Sequence, residues 1–220
     1  MRATNSAQAV FQKIAGGDGT FNICVEVATV HTTGATAVGI DLGLKDTATV
    51  SDGSKLIAGR FYRDLQPALG KAQQAGKKAR VRAIYAKIKN RRKDALHKFS
   101  TALVNSHAAI FVGDVSSSKL AKTKMAKSVL DAGWAMLKTQ LEYKAIARSV
   151  VFEVVNERYS TQACSCCGAI SNNSPKGRAG LRIREWTCCE CGTAHDRDVN
   201  AAKNILAAGH CRLAVGIPVL

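Results

Sequence analysis

The sequence predicts a mixed α/β core that carries a helical hairpin insertion and an inserted four-cysteine zinc ribbon. Three observations carry this expectation. Short apolar strands recur along the chain, a long and strongly basic helical region interrupts them, and two Cys-x-x-Cys-Gly turns, Cys164/Cys167-Gly168 and Cys188/Cys191-Gly192, lie 20 residues apart. At 220 residues, 46% of them hydrophobic, the chain can bury one core and a small satellite module.

Taken in order, the first 35 residues supply little. Gly16-Gly17-Asp18-Gly19 reads as a turn, and Thr20 to Val30 alternates as one strand without an evident partner. Thr36 to Leu42 is a buried strand with Asp41 near its end. Gly43 to Asp46 turns the chain into a second strand, Thr47 to Val50, and Asp52-Gly53 is a hairpin signal that leads to a third, Lys55 to Gly59. From about Asp64 to Asn105 the pattern is helical, with Val81, Ile84, Tyr85 and Ile88 at 3.6-residue spacing and Gly76 as the break between two helices. Ala108 to Val112 is a continuous apolar strand closed by Gly113-Asp114. Ser116 to Lys127, with Lys119, Lys122 and Lys124, reads as a loop or lid. Trp134, Leu137, Leu141 and Ala145 mark one helix face, Val150 to Val155 forms a strand closed by Asn156-Glu157, and Asp198 to Ala208 is the closing helix.

Charge narrows the partners. Lys and Arg number 32 against 16 Asp and Glu, a net charge of +16 that favours a polyanion, most commonly nucleic acid. Between Lys71 and Lys98 there are eleven Lys or Arg and one acid, Asp94. Lys77, Lys78, Arg80, Arg82, Lys87, Lys89, Arg91 and Arg92 are therefore candidate phosphate contacts, with a solvated helix face as the plain alternative. No apolar run approaches the roughly 18 residues of a membrane span, and Met1 to Gly19 lacks the apolar stretch of a signal peptide. No membrane partner and no small-molecule cofactor are expected. Six of the eight cysteines fall in paired spacing between Cys164 and Cys191, as metal sites do in a reducing cell, so the cytoplasm is the expected compartment. Cys24 and Cys211 stand alone and are expected to be inert buried thiols.

Cys164, Cys167, Cys188 and Cys191 are the expected ligands of a structural Zn²⁺, two thiolates from each knuckle. Cys166 and Cys189, inside the pairs, rank second. A closed four-thiolate site leaves no position for substrate, so the ribbon is expected to staple the fold rather than perform chemistry. Lys176, Arg178, Arg182, Arg184 and Trp186, between the knuckles, are candidates for touching nucleic acid.

Two acids stand out. Asp41 interrupts an apolar strand, where a carboxylate is costly unless a partner or a metal compensates. Asp198 opens the closing helix, where a helix N-cap is the simpler role. Cleavage of a phosphodiester by two metals needs carboxylates that converge from separate elements, and these two suit it.

The ordered set Val38-Gly39-Ile40-Asp41-Leu42-Gly43, the basic helical hairpin, Ser160-Thr161-Gln162-Ala163-Cys164, the second knuckle and Asp196-Arg197-Asp198-Val199-Asn200-Ala201-Ala202 resembles the C-terminal half of the OrfB/TnpB family of insertion-sequence proteins. These are transposon-associated, RNA-guided DNA endonucleases related to compact type V CRISPR effectors and often labelled transposases. The resemblance covers about residues 20–208. It implies an RNase H-like (RuvC-type) nuclease core over 35–159, the zinc ribbon over 160–195, a closing helix and tail over 196–220, and a remnant of an N-terminal recognition domain over 1–34. It implies Asp41 as the first catalytic acid and Asp198 as the last, Mg²⁺ as catalytic metal, and DNA and a guide RNA as partners.

The middle acid departs from the family pattern, which places Glu directly after the fourth core strand; here the chain reads Gly113-Asp114. Glu157, closing the next strand, is the expected substitute. Asp114 is the alternative, disfavoured because a one-residue shift turns a strand side chain to the opposite face, and Glu153 lies mid-strand. The expected function is a metal-dependent, RNA-guided endonuclease shortened at its N-terminus. The rival is a catalytically inactive nucleic-acid-binding relic or guide-RNA-binding protein.

Overall fold

A computed structural model describes residues 7–12, 20–25, 31–116, 120, 122–180 and 182–215, and divides the chain into a unit before His31 and a unit from His31 onward. In the first unit β1 (Ala7–Gln12) pairs antiparallel with β2 (Thr20–Val25), in register from Ala7 opposite Val25 to Gln12 opposite Thr20. The strand expected to lack a partner therefore has one. The proposed turn at Gly16 to Gly19 lies outside the described residues.

The second unit is built on a five-stranded mixed sheet of β3 (Thr36–Asp41), β4 (Asp46–Val50), β5 (Lys55–Ile57), β6 (His107–Gly113) and β7 (Val151–Val155), in the order β5-β4-β3-β6-β7. β5, β4 and β3 run antiparallel, as a short meander allows. β3, β6 and β7 run parallel; β4, β5 and two helices separate the first two in the chain, and helices alone separate the last two. The three parallel strands therefore end side by side, at Asp41, Gly113 and Val155.

Alternation along the strands sends two sets of side chains to opposite faces. Val38, Ile40, Ile110 and Val112 join the larger core with Leu137 and Leu141. Ala37, Ala109, Phe111 and Val155 meet Ile205 on the other face. The helices divide between these layers. α1 (Phe61–Gln74) and α2 (Lys78–Ser106) form the expected hairpin, parted by Gly76 at φ +65°, and close a cluster of their own around Leu69, Ile84 and Ile88. α3 (Ala126–Ala132) starts in the last two residues of the segment expected to be a loop and runs on past it, because Val129 and Ala132 bury against the core. α4 (Trp134–Arg148) follows directly, and Trp134 Nε1 donates to Thr47 O at 3.1 Å.

The ribbon contributes the one-turn α5 (Gly177–Gly180) and a hairpin of β8 (Glu185–Thr187) and β9 (Ala194–Asp196). α6 (Arg197–Val215) runs beyond the expected Ala208. Its extra turns are used: Gly209 abuts the Phe111 ring, and Arg212 donates to Val154 O at 3.0 Å. α6 lies directly on β3 at Gly39, where a Cβ would stand 2.1 Å from Ala202 O, so only glycine permits the approach. The isolated Cys211 is exposed rather than buried, because this last stretch of α6 presents it to solvent. Among the described residues no helix is long and apolar enough to cross a membrane.

Candidate active site

Asp41, Glu157 and Asp198 line one cleft of about 470 Å³ at the carboxyl ends of the parallel strands, with Lys45, Arg184 and Arg197 also in its walls. Each acid arrives by a different route. Asp41 ends β3, Glu157 follows β7 by two residues, and Asp198 lies in the first turn of α6. Burial pushes the Asp41 carboxyl up from 3.8 to about 7, the negative charges of Asp198 and Glu157 push the same way, and Arg197 opposes them. Glu157 is raised too, first by burial and then by Asp114, against Lys138 and a hydrogen bond from the Val115 N–H. Two carboxylates that raise a third are held closer together than their charges favour, and a divalent cation relieves such a cluster. An all-oxygen donor set fits Mg²⁺, and the residues present suit it.

Glu157 reaches the cleft for a local steric reason. A Cβ on Gly113 would stand 2.5 Å from Glu157 Oε2, so the glycine vacates the space that the Glu157 carboxylate fills. Asp114 does not line the cleft; its Oδ1 accepts the Glu157 backbone N–H at 3.2 Å. Glu153 lies apart, 3.6 Å from Arg212 Nε.

Asp198 is not the N-cap of α6. Asp196 does that work, its Oδ1 accepting the N–H groups of Asp198 and Val199 at 2.9 and 3.0 Å and its Oδ2 receiving Lys55 Nζ at 3.1 Å. Burial opposes ionisation of Asp196, but these donors hold its carboxyl below the ordinary range. Asp198 is instead held from both sides. Arg197 Nη2 meets Oδ1 at 2.8 Å and Arg184 Nη1 meets Oδ2 at 2.9 Å. Sequence reading missed these partners, although an Arg between two Asp was visible in the motif. It also missed Lys138, whose charge opposes the rise of Glu157, because nothing sets that cation apart from Lys144 and Arg148 on the same helix.

In the ribbon the sulfurs of Cys164, Cys167, Cys188 and Cys191 lie within 4.8 Å of one another. Cys164 and Cys191 are 3.6 Å apart, and Cys167 and Cys188 are 3.8 Å apart. Four thiolates about 2.3 Å from a zinc have tetrahedral edges of about 3.8 Å, so the cluster fits the metal. Both knuckles turn alike: the Gly168 and Gly192 amides, at φ +78° and +72°, bond to the Cys164 and Cys188 carbonyls at 2.8 and 2.9 Å. Thr193 draws the Cys191 thiol down to about 6. Against the pull of the Ala169 amide, desolvation and the three neighbouring sulfurs push Cys167 up to about 12, so the four crowded thiols share charge unevenly. Cys166 and Cys189 are exposed outside the cluster.

His195 Nε2 lies 3.0 Å from Cys164 Sγ and its ring packs on Trp186, centroids 4.9 Å apart. Trp186 is therefore buried in the ribbon's own core and is not available to a base. Lys176 and Arg182 are exposed. Asn200 ties α6 to the first knuckle, accepting the Ser165 N–H at 2.8 Å and donating to Ala163 O at 2.8 Å. Lys77, just before α2, and Lys78, Arg80, Arg82, Lys87, Lys89 and Arg91 on it are exposed. Arg92 turns inward and pairs with the buried Asp131 at 3.0 Å.

Together these features define an α/β protein with three carboxylates in one cleft, faced by cations, beside a four-cysteine module. Two family profiles match the chain, one described as "Probable transposase" over residues 22–124 and one as "Cas12f1-like, TNB domain" over residues 134–205. Two relatives carry the name "Putative RNA-guided DNA endonuclease". The protein of Streptomyces pristinaespiralis is 37% identical over 88% of this chain and 50% of its own length, and InsQ of Escherichia coli K12 is 31% identical over 87% and 53%. The fold is similar to that of the Cas12f1 chain in a cryo-EM complex of Cas12f1, sgRNA and target DNA, with a TM-score of 0.59 at 14% identity, over 90% of this chain and 55% of that one. The chain belongs to the OrfB/TnpB family of insertion-sequence proteins. It spans about half the length of the curated relatives it matches.

Proposed function

We propose that the chain is the nuclease portion of a transposon-encoded, RNA-guided, Mg²⁺-dependent DNA endonuclease. Its core is RNase H-like (RuvC-type) and is stapled by a structural zinc at Cys164, Cys167, Cys188 and Cys191. The observation that carries this reading is the convergence of Asp41, Glu157 and Asp198 on one cleft from three separate elements, with Asp41 pushed up to about 7 by burial and by the other two carboxylates. The mixed sheet, antiparallel on one side of β3 and parallel on the other, supports the RNase H-like assignment.

In this mechanism Asp41, Glu157 and Asp198 hold the cation, and Gly113 and Asp114 seat Glu157. Mg²⁺, when bound, supplies charge stabilisation at the scissile phosphate and acidifies an attacking water. The exposed cations of α2 track nucleic-acid phosphates, so sequence choice falls to a guide RNA rather than to base contacts.

Purified protein with Mg²⁺ and single-stranded DNA should cut, and Asp41→Ala should not. Equal inertness of both, with binding retained, would return the chain to a nucleic-acid-binding role. Glu157→Ala and Asp114→Ala, compared separately, test the middle acid: parental activity in Glu157→Ala defeats its assignment.

A further inference from the structure

Both oxygens of the Asp198 carboxylate are occupied by guanidinium groups, and the two arginines are not equivalent. Arg197 is largely buried and also donates to Gly180 O at 3.2 Å, a structural fastening between α6 and the ribbon. The Arg184 side chain is 39% exposed, and among the described residues Asp198 is its one hydrogen-bond partner. Its backbone is fixed, because Arg184 O accepts the Arg197 N–H at 2.7 Å. A side chain anchored at its root, singly bonded at its tip and facing a cleft can exchange partners without disturbing the fold.

The exchange has a chemical logic. A cation shared by Asp41, Glu157 and Asp198 would bond an Asp198 oxygen on which a guanidinium now rests; Oδ2 keeps a second lone pair, but the positive charge of Arg184 at 2.9 Å opposes a divalent cation beside it. A phosphodiester offers arginine the same bidentate acceptor geometry as a carboxylate. Arg182, two residues before Arg184 and exposed, adds positive charge to the same stretch of the ribbon.

We propose that Arg184 is a substrate-exchanged clamp: it covers Asp198 Oδ2 in the nucleic-acid-free protein and transfers to a phosphate of the strand entering the cleft, so that metal and strand bind cooperatively. This rests on the metal site proposed above. Arg184 is then both a positioning residue for the strand and a block on metal loading in its absence.

The test is Mn²⁺ binding to the full chain supplied with Zn²⁺, read as free Mn²⁺ by electron paramagnetic resonance, with and without a phosphorothioate single-stranded DNA. Arg184→Gln should bind Mn²⁺ about tenfold more tightly than the parent in the absence of DNA, the size of an ordinary coupling between two ligands. DNA should tighten Mn²⁺ binding by the parent and leave Arg184→Gln nearly unchanged. Equal or weaker Mn²⁺ binding by Arg184→Gln without DNA overturns the clamp. If thermal melting shows that variant to be misfolded, Arg184→Met replaces it under the same criteria. Asp41→Asn separates the two readings. Mn²⁺ binding that ignores Asp41 defeats the metal site itself, whereas binding that depends on Asp41 but not on Arg184 defeats only the clamp.

Discussion

Replacing Asp41 by Asn removes the charge that the cleft tolerates least, and the effect should be visible in stability before any DNA is cut. Asp41 titrates near 3.8 in an unfolded chain and at about 7 in the fold. Its folded value is raised, so its contribution is most favourable below pH 3.8 and is lost as pH rises through 7. At about 1.4 kcal/mol per pH unit, the full interval amounts to on the order of 4 kcal/mol, of which about 2 kcal/mol falls between pH 5.5 and 7. Water and salt in an open cleft reduce both figures. The assay is thermal unfolding of the parent and Asp41→Asn from pH 5.5 to 8.5 in Mg²⁺-free buffer, a range chosen to spare the thiolate cluster. The parent should lose about 4–8 °C relative to the variant between pH 5.5 and 7, and no more above it. Added Mg²⁺ should restore the parent at pH 8 and leave Asp41→Asn unmoved. A melting difference independent of pH, or equal Mg²⁺ responses, would refute the account of Asp41 as one member of a crowded carboxylate cluster.

Three further outcomes are expected. Gly113→Ala should fold with a small loss of stability, because the Glu157 carboxylate can swing off the added Cβ while Ile205 Cδ1 and Glu157 Cβ, at 3.2 and 3.3 Å from it, must give slightly; DNA cleavage should fall about 10–100-fold, as when a group orienting a metal ligand is disturbed. Metal analysis should find zinc in the parent, in Cys166→Ser and in Cys189→Ser, and a loss of it in Cys188→Ser. Asn200→Ala removes a nearly fully buried amide that holds the first knuckle to α6, and should cost about 2–3 kcal/mol in chemical denaturation.

The parts legible in the sequence are those whose information is local. The helical hairpin and its break at Gly76 follow from periodicity and one positive-φ glycine. α3 was hidden because its apolar residues are short of a full amphipathic repeat and become helical by packing Val129 and Ala132 on the core. β1 was missed because pairing, rather than pattern, makes it a strand. Within the cleft, Asp41 was visible as a carboxylate in an apolar strand. The division of labour between Asp196 and Asp198 was not, since both precede the same helix and only the direction of each side chain assigns the cap to Asp196.

The sequence by itself determined which four cysteines come together, because the spacing within a knuckle is set by a few consecutive backbone torsions. It also determined that a basic helical face exists. Tertiary structure decided that Trp186 belongs to the ribbon's interior, that Arg92 serves Asp131 rather than the surface, and that Glu157 occupies the space left by Gly113. Each of these depends on contacts between residues remote in the chain. The parallel crossover from β6 to β7 brings Glu157 beside Gly113, 44 positions earlier, and no local pattern encodes that meeting.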